Sequence, residues 1–121
     1  MELKALPEKL TVCRVRSFSP ELLDLPLFFA AKTDEEYSLV CPTDLVPPDT
    51  EKREDGWRAF RICGVLDFSL VGILAPIADL LAADKIGIFA VSTYNTDYVL
   101  VRETDFERAL ALLSENGYTV L

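Results

Sequence analysis

An internal repeat limits what this chain of 121 residues can fold into more than any other feature. The run FFAAKTDEEYSLVCPTDL, beginning at Phe28, aligns with FAVSTYNTDYVLVRETDF, beginning at Phe89, with six identities. Upstream, VCRVRSFS from Val12 aligns with ICGVLDFS from Ile62. Since sequence repeats mark repeated supersecondary units, we predict two copies of one unit.

The first copy lacks most of one helix. Between the two aligned runs the second copy is longer by about 11 residues, the length of a helix of three turns. Only PELLDLP stands at this place in the first copy. Farther on, the run PPDTEKREDG from Pro47 to Gly56 has no apolar residue, so we predict a connecting loop there. The predicted domains are a degenerate half with a charged linker at 1–56 and a complete unit at 57–121.

The second copy carries signals for two helices. Apolar residues recur at helical spacing from 70 to 83, and Pro76 cannot donate a backbone hydrogen bond, so regular helix is predicted to begin near Gly72 or Ile73. A second helix is predicted to begin at a capping box formed by Thr104 and Glu107, and to end at Asn-Gly, 116–117.

Four strands surround these helices. The β-branched and aromatic runs that predict them are Trp57–Leu66, Ile86–Thr93, Asp97–Arg102 and Tyr118–Leu121. The resulting order, βαββαβ, predicts an α+β fold with a ferredoxin-like unit, preceded by its abridged repeat.

Histidine is absent from the sequence, which excludes several kinds of chemistry. Neither a Ser-His-Asp nor a Cys-His nucleophile pair can form, and the usual zinc ligand is missing. Cys13, Cys41 and Cys63 show no CxxC spacing, so we expect reduced thiols rather than a disulfide framework or a metal site. Since no nucleophile has an evident base, we predict a protein that is not an enzyme and binds no cofactor.

The net charge and the hydropathy of the sequence reduce the number of partner classes that we expect. A formal charge of −8 repels phosphate backbones, so nucleic acid is not an expected partner. The N-terminus lacks the basic and apolar regions of a signal peptide. The longest apolar run, within GILAPIADLLAA, is interrupted by Pro76 and Asp79 and is too short to span a bilayer. We therefore expect a cytoplasmic protein without a membrane partner.

The predicted topology collects polar residues at one edge of the sheet. The end of the first strand of the complete unit lies beside the start of the third, and the end of the second points the same way. Residues 67–72, 92–93 and 95–97 are therefore expected to meet. Free amides at a helix start favour an anionic group, whereas Asp97 favours an ammonium or guanidinium group, so the edge suits the two ends of a zwitterion.

Each of these residues also has a purely structural interpretation. Asp67 and Ser69 stand near a helix start, where capping is common, and capping is the favoured interpretation of Asp67. Asp97 serves equally well as a turn former in YNTD, and close packing of helix on sheet is enough to explain Gly72. The simplest interpretation of the two tyrosines here is as surface or sheet-face aromatics: Tyr94 and Tyr98.

Residues 57–121 resemble a known family. The stretch VLDFSLVGILAPIADLLAADKIGIFAVSTYNTDYVLV is similar to an ACT domain, whose pattern is a strand ending near Asp, a loop closing on Gly, a helix, and a glycine before a second strand. More narrowly, G-I-L-A-P-I-A with S-T-Y-N-T-D-Y-V-L-V resembles the tandem ACT-like type found in cytosolic arginine sensors of animals and in short bacterial homologues. The first copy, with LPLFFAAKTDEEYSLV, fits that tandem arrangement.

The resemblance implies a regulatory module, an allosteric sensor that binds a free amino acid, usually at an interface between two ACT units. It also implies a homodimer, because ACT sheets commonly pair and extend. Carried over by position, the implied ligand-binding residues are Ser69, Val71, Gly72, Ile73, Thr93, Asn95 and Asp97. Leu70 stands where the arginine sensors have an acidic residue, so a smaller or more apolar amino acid is expected as much as arginine.

Two other functions compete with amino-acid sensing. A structural or protein-interaction module that kept the fold and lost its ligand is the main alternative, because fold alone does not determine function. A small enzyme ranks below both, since the topology pairs no nucleophile with a base and no two carboxylates.

Overall fold

The computed structural model of the protein describes residues 1–67 and 69–121. Within them the strands are β1 Glu2–Ala5, β2 Leu10–Val15, β3 Phe29–Lys32, β4 Tyr37–Pro42, β5 Lys52–Ile62, β6 Phe89–Ser92, β7 Asp97–Arg102 and β8 Thr119–Val120. The α-helices are α1 Leu74–Ala83 and α2 Glu103–Glu115, and short 3-10 helices span Pro20–Asp24 and Thr43–Leu45. Phe68, which belongs to the predicted loop at 67–72, lies outside the described residues.

The chain divides into two compact units. One, here called the C-terminal unit, joins Met1–Pro7 to Arg58–Leu121, and the other, the N-terminal unit, is Glu8–Trp57. The strand β5 passes through the boundary, so that its residues 52–57 belong to the N-terminal unit and its residues 58–62 to the C-terminal unit.

The C-terminal unit confirms the predicted α+β, ferredoxin-like fold. Its strands pair in the order β6–β7–β5–β1–β8. Each helix contributes apolar side chains to one core: the fully or almost fully buried ones are Ile77 and Leu81 of α1 and Phe106, Ala109 and Leu113 of α2. These residues recur at helical spacing, and the stripe that they form is the signal that predicted both helices.

The first seven residues belong with the C-terminal unit, whereas the sequence placed them in a domain at 1–56. Leu3 of β1 lies opposite Ile62 in antiparallel pairing with β5 and opposite Val120 in parallel pairing with β8. The Leu3 side chain is completely buried in the core of the unit. A strand of four residues with one buried side chain has too short a pattern to be recognised in the sequence.

The N-terminal unit uses the charged segment as a strand. Its sheet has the order β3–β4–β2–β5, with Arg53 and Glu54 of β5 opposite Cys13 and Val12 of β2. The prediction of a connecting loop at 47–56 is therefore wrong for residues 52–56. The side chains at 52–55 are exposed, so their charges stay solvated while the backbone satisfies its hydrogen bonds in the ladder.

Short 3-10 helices stand in the N-terminal unit where the other unit has α-helices. Pro20–Asp24 precedes β3 as α1 precedes β6, and Thr43–Leu45 follows β4 as α2 follows β7. The sequence predicted an abridged helix only for the first of these two places. The core of this unit is correspondingly small, formed by the buried residues Cys13, Val15, Leu22, Leu39 and Cys41. Burial raises the pKa of the Cys41 thiol to about 11.

The two hairpins match in a register that differs by one residue from the sequence alignment. Phe29 lies opposite Val40 in the β3–β4 pair, and Phe89 lies opposite Leu100 in the β6–β7 pair, so Phe89 corresponds to Phe29 and not to Phe28. The turns match likewise, because Thr33 N–H donates to a carbonyl three residues on at 3.0 Å and Thr93 N–H does so at 2.8 Å. A shift of one residue places a side chain on the opposite face of a strand, so the alignment joins residues of opposite faces.

The helix ends differ from prediction at one point. The helix α1 begins at Leu74, close to the expected start, but α2 begins at Glu103 without a side-chain cap, so the capping box of Thr104 and Glu107 is wrong. Thr104 lies inside the first turn. The predicted end at residues 116–117 is confirmed by Gly117, whose φ of 98° is left-handed. No helix within the described ranges is long and apolar enough to cross a membrane.

Candidate functional site

A surface cavity of about 220 Å³ lies in the C-terminal unit, at the sheet edge that the topology identified. One wall is the segment between β5 and α1, and the other is the hairpin that joins β6 to β7. The lining residues are Leu66, Asp67, Leu70, Ile73, Ser92, Thr93, Tyr94, Asn95, Thr96 and Asp97. Since drug-sized ligands occupy about 300–1,000 Å³, this volume suits a smaller molecule.

The segment between β5 and α1 is shaped by its own hydrogen bonds. Asp67 Oδ1 accepts from Ser69 N at 2.8 Å and from Ser69 Oγ at 2.7 Å. These two bonds lower the pKa of the Asp67 carboxyl, so the group is ionised at neutral pH. Farther along the segment, Gly72 has a φ of +71°, which a residue with a side chain rarely adopts. An added Cβ at Gly72 would meet open space, so backbone conformation rather than close packing explains this glycine.

The opposite wall is a tight hairpin turn. Thr93 N–H donates to the Thr96 carbonyl at 2.8 Å, and Thr93 Oγ1 donates to the same oxygen at 3.1 Å. Thr96 is buried and donates its own hydroxyl to the Ile62 carbonyl at 2.7 Å. That contact connects the turn to β5 and holds it in place.

The two walls are joined directly. Leu66 N–H donates to the Asn95 carbonyl at 2.7 Å. Together with the bond from Thr96 to Ile62, this fixes the spacing across the cavity. The cavity is therefore formed before any ligand binds, which reduces the conformational entropy that binding would cost.

Asp97 lies at the start of β7, directly opposite Ser92 of β6. Ser92 Oγ donates to Asp97 Oδ1 at 2.6 Å, and the Asp97 side chain is half-buried. A carboxylate can accept several hydrogen bonds, so this contact orients the group and leaves it able to receive a cation.

The structure brings together four of the seven residues that the family motif pointed to. Ile73, Thr93, Asn95 and Asp97 line the cavity. The other three, Ser69, Val71 and Gly72, lie in the same loop without lining it. Ser69 instead donates its N–H and its hydroxyl to Asp67 within the loop. The interpretation of Asp67 as a helix cap is therefore wrong, because α1 begins at Leu74 without a side-chain cap. Val71 is almost fully exposed.

Sequence reasoning did not select several of the lining residues. Leu66 and Tyr94 lie outside the ranges that were expected to meet. Leu70, Ser92 and Thr96 lie within those ranges but were not chosen as ligand-binding residues, and capping was the favoured interpretation of Asp67. Ser92 had a usable signal, since the last residue of one hairpin strand lies opposite the first residue of the next. No sequence signal pointed to Thr96, because its role depends on the carbonyl of Ile62, 34 residues away in the sequence.

The two segments that form the walls carry exposed apolar side chains. Val65, Leu70, Val71 and Tyr94 are at least half exposed, and of these Leu70 and Tyr94 line the cavity. Contiguous exposed apolar surface often serves as an interaction site, so these residues are candidates for one.

The charge at the cavity is negative. Asp67 and Asp97 line it, and the described lining has no lysine or arginine. In the described part of the chain, no group of three or more His, Cys, Asp or Glu side chains is placed to hold a metal ion. The chemistry of the lining is that of hydroxyls, amides and two carboxylates, which suits the binding of a small cation-bearing molecule.

Comparison with known proteins places the chain in one family. The family model of the ACT domain matches residues 52–115. The mouse cytosolic arginine sensor for mTORC1 subunit 1 is 33% identical over 104 residues, covering 80% of this chain and 31% of the sensor. The chain thus spans about a third of the length of the curated relatives that it matches.

Solved structures share the fold of this chain. Protein Atu0741 from Agrobacterium tumefaciens is 32% identical, with a TM-score of 0.87 over 99% of this chain and 91% of that one. The regulatory subunit of aspartate kinase from Thermus thermophilus shares the fold at 10% identity, with a TM-score of 0.63 over 93% and 95% of the two chains. On the match to the family model, over more than half of its residues, the chain belongs to the ACT domain family.

Proposed function

We propose that this protein is a non-catalytic regulatory module that binds a free amino acid in the cavity between Leu66 and Asp97. The observation that carries the proposal is the position of the cavity, where the loop before α1 meets the β6–β7 hairpin in an ACT domain. Membership of the family and the similarity to an arginine sensor support the class of ligand.

The two ends of an amino acid would bind to different walls. In this arrangement Asp97 receives the α-ammonium group, and Ser92 keeps the carboxylate in position. The amides at the start of α1, beside Ile73, receive the α-carboxylate, because unpaired helix N–H groups attract anions. Thr93 and Asn95 supply further polar contacts from the turn, and Ser69, Val71 and Gly72 shape the loop.

The protein is further proposed to be a homodimer in the cytoplasm, with an abridged ACT copy in the N-terminal unit and a complete copy in the C-terminal unit. The matching registers of the two hairpins support the tandem repeat. The exposed apolar side chains of the two wall segments support the dimer, because a second copy that binds there would cover them: Val65, Leu70, Val71 and Tyr94.

A structural or interaction module without a ligand is the competing proposal, and the same apolar residues support it. Calorimetric titration of the protein with each of the twenty amino acids separates the two. If the protein is an amino-acid sensor, at least one amino acid should bind saturably to the wild type and should not bind to Asp97→Ala. Absence of binding across the whole set would leave only the interaction module.

The oligomeric state gives an independent test. Light scattering coupled to size-exclusion chromatography is expected to show a dimer for the wild type and a shift towards monomer for Val71→Asp, because a charge in an apolar contact costs desolvation energy. A matched control is Leu23→Asp, at a strongly exposed apolar residue of the N-terminal unit. A monomer for all three proteins would exclude the proposed dimer.

A further inference from the structure

The lining of the cavity has an apolar inner part and a polar outer part. Leu66 and Ile73 are partly buried, and both pack against the core of the C-terminal unit. The exposed polar residues of the described lining are Asp67, Ser92, Thr93 and Asn95. A molecule that enters the cavity therefore passes the polar groups before it reaches the two apolar side chains.

The most deeply buried polar residue of the described lining already has partners within the protein. Thr96 is 7% exposed, and its hydroxyl donates to the Ile62 carbonyl at 2.7 Å. The Thr96 carbonyl accepts two hydrogen bonds from Thr93, at 2.8 Å from the N–H and at 3.1 Å from the hydroxyl. The hydroxyl hydrogen and the carbonyl of Thr96 are therefore engaged before a ligand arrives.

This arrangement penalises a polar side chain on the ligand. A charged or hydrogen-bonding group placed against Leu66 and Ile73 loses its water, and the engaged groups of Thr96 do not replace that water. An aliphatic side chain in the same place gains free energy by leaving water. The ammonium group of the ligand stays nearer the outer part, at the half-buried Asp97.

Asp67 adds a negative charge to the outer part without reversing this preference. Its side chain is exposed, and its Oδ1 already accepts from the N–H and the hydroxyl of Ser69. Water and salt screen an exposed carboxylate, so an ion pair made there contributes little to affinity.

We propose that the cavity selects a free amino acid with an aliphatic side chain, and that Leu66 and Ile73 are its specificity-determining residues. The inference rests on the proposed function of the same site. The aliphatic side chain packs on Leu66 and Ile73, while Asp97 binds the α-ammonium group.

The test is a set of calorimetric titrations with matched pairs of amino acids. L-Valine is compared with L-threonine, L-leucine with L-asparagine, and L-norleucine with L-lysine. The members of each pair have similar size or length and differ in the polarity of the side chain. In each pair the aliphatic member is expected to bind about tenfold more tightly, because its partner buries a polar group without a hydrogen bond.

Two variants of Ile73 examine its contact with the ligand. Ile73→Ala is expected to weaken the binding of leucine and norleucine about tenfold and to leave that of asparagine and lysine unchanged. Ile73→Val removes a single methylene group, so it disturbs the fold less, and it should weaken the same two aliphatic ligands about threefold. Thermal unfolding verifies that each variant is folded.

Ile88→Ala is the matched control. Ile88 is also partly buried and packs against the same core, but it is not among the described residues that line the cavity. Ile88→Ala is expected to keep the wild-type affinity for leucine. A loss as large as that in Ile73→Ala would show that the affinity depends on the core in general, and it would overturn the assigned contact.

The outcomes separate this inference from the proposed function. If none of the amino acids binds the wild type, the proposed function fails, and the inference fails with it. If threonine, asparagine and lysine bind as tightly as their aliphatic counterparts, amino-acid binding stands and the aliphatic selectivity is refuted. An equal loss for both members of a pair in Ile73→Ala would likewise refute the role of Ile73 in specificity.

Discussion

Ser92 holds Asp97 by a hydrogen bond of 2.6 Å across the first pair of the β6–β7 hairpin. One residue contributes the hydroxyl from the end of a strand, and the other the carboxylate from the beginning of the next. The bond restricts the carboxylate to one orientation at the cavity, so a ligand loses little affinity in ordering it.

Ser92→Ala is expected to weaken amino-acid binding about fivefold and to change the free energy of unfolding by less than about 0.5 kcal/mol. The affinity falls because Asp97 loses the donor that orients it, whereas stability hardly changes because Ser92 is exposed. Calorimetric titration and urea denaturation measure the two effects. Ser114→Ala, on the exposed side of α2, is the control. Unchanged affinity in Ser92→Ala would show that Asp97 needs no orienting partner.

Thr96→Val is expected to lower the free energy of unfolding by about 1–3 kcal/mol, because it leaves the Ile62 carbonyl without its donor in a buried place. Valine and threonine have similar shapes, so the substitution changes little except the loss of the buried hydroxyl. Urea denaturation checks the value. Thr119→Val, at an exposed position of β8, should stay within about 0.5 kcal/mol of the wild type. Equal effects of the two substitutions would contradict the assigned bond.

Raising the pH from 9 to 11 is expected to destabilise the protein partly through Cys41. Its thiol has a pKa of about 11 when folded, above the ordinary 9.0. In this interval the unfolded chain loses the proton and the folded chain keeps it, so the stability present below pH 9 is lost as pH rises through the folded pKa. The loss is on the order of 2 kcal/mol.

Urea denaturation at pH 7, 9 and 11 measures this contribution as the difference between the wild type and Cys41→Ala. The variant is less stable at pH 7 because it leaves a cavity, but it should lose less stability between pH 9 and 11. Cys63→Ala, at a partly exposed thiol, serves as the control. Parallel curves for the wild type and Cys41→Ala would disprove the coupling.

Lys85→Gly is expected to raise the free energy of unfolding by about 0.5 kcal/mol. Lys85 has a φ of 60° just after α1, a conformation that costs an L-residue about 1–2 kcal/mol, and the gain exceeds the extra entropy of an unfolded glycine. Thermal and urea denaturation measure the gain. Lys85→Ala removes the same charge but keeps a side chain at this φ, so it should show no stabilisation. A gain in both variants would instead point to the charge.

Long patterns in the sequence were sufficient for most of the fold. The apolar stripe that includes Ile77 and Leu81 predicted α1, and Asn116 with Gly117 predicted the end of α2. What escaped prediction was β1 and the first half of β5. Leu3 alone marks β1 as buried, and residues 52–55 of β5 are charged on both faces, so neither segment has the alternation that identifies a strand.

The register of the repeat was predicted incorrectly for a different reason. Six identities favoured the alignment of Phe28 with Phe89, but Phe29 and Phe89 occupy the equivalent places in the two hairpins. Strand pairing is determined by which residues face the core, and neighbouring apolar residues such as Leu39 and Val40 can be aligned either way.

The predicted topology was enough to locate the candidate site, but not to identify all of its lining residues. Asp97 and Thr93 follow from their places beside the hairpin turn. Asp67 was interpreted as a helix cap, but its carboxylate accepts from Ser69 within the loop and also lines the cavity. A prediction that assigns one role to each residue fails where one residue makes two kinds of contact.

The position of β1 has a consequence for folding during synthesis. Leu3 is synthesised before both residues that it pairs with, Ile62 and Val120. The sheet of the C-terminal unit is therefore completed only when the chain has been made as far as Val120, whereas the pairings of the N-terminal unit end at Trp57. We expect the N-terminal unit to fold first on the ribosome, with β1 held unpaired until β5 follows it and β8 closes the sheet.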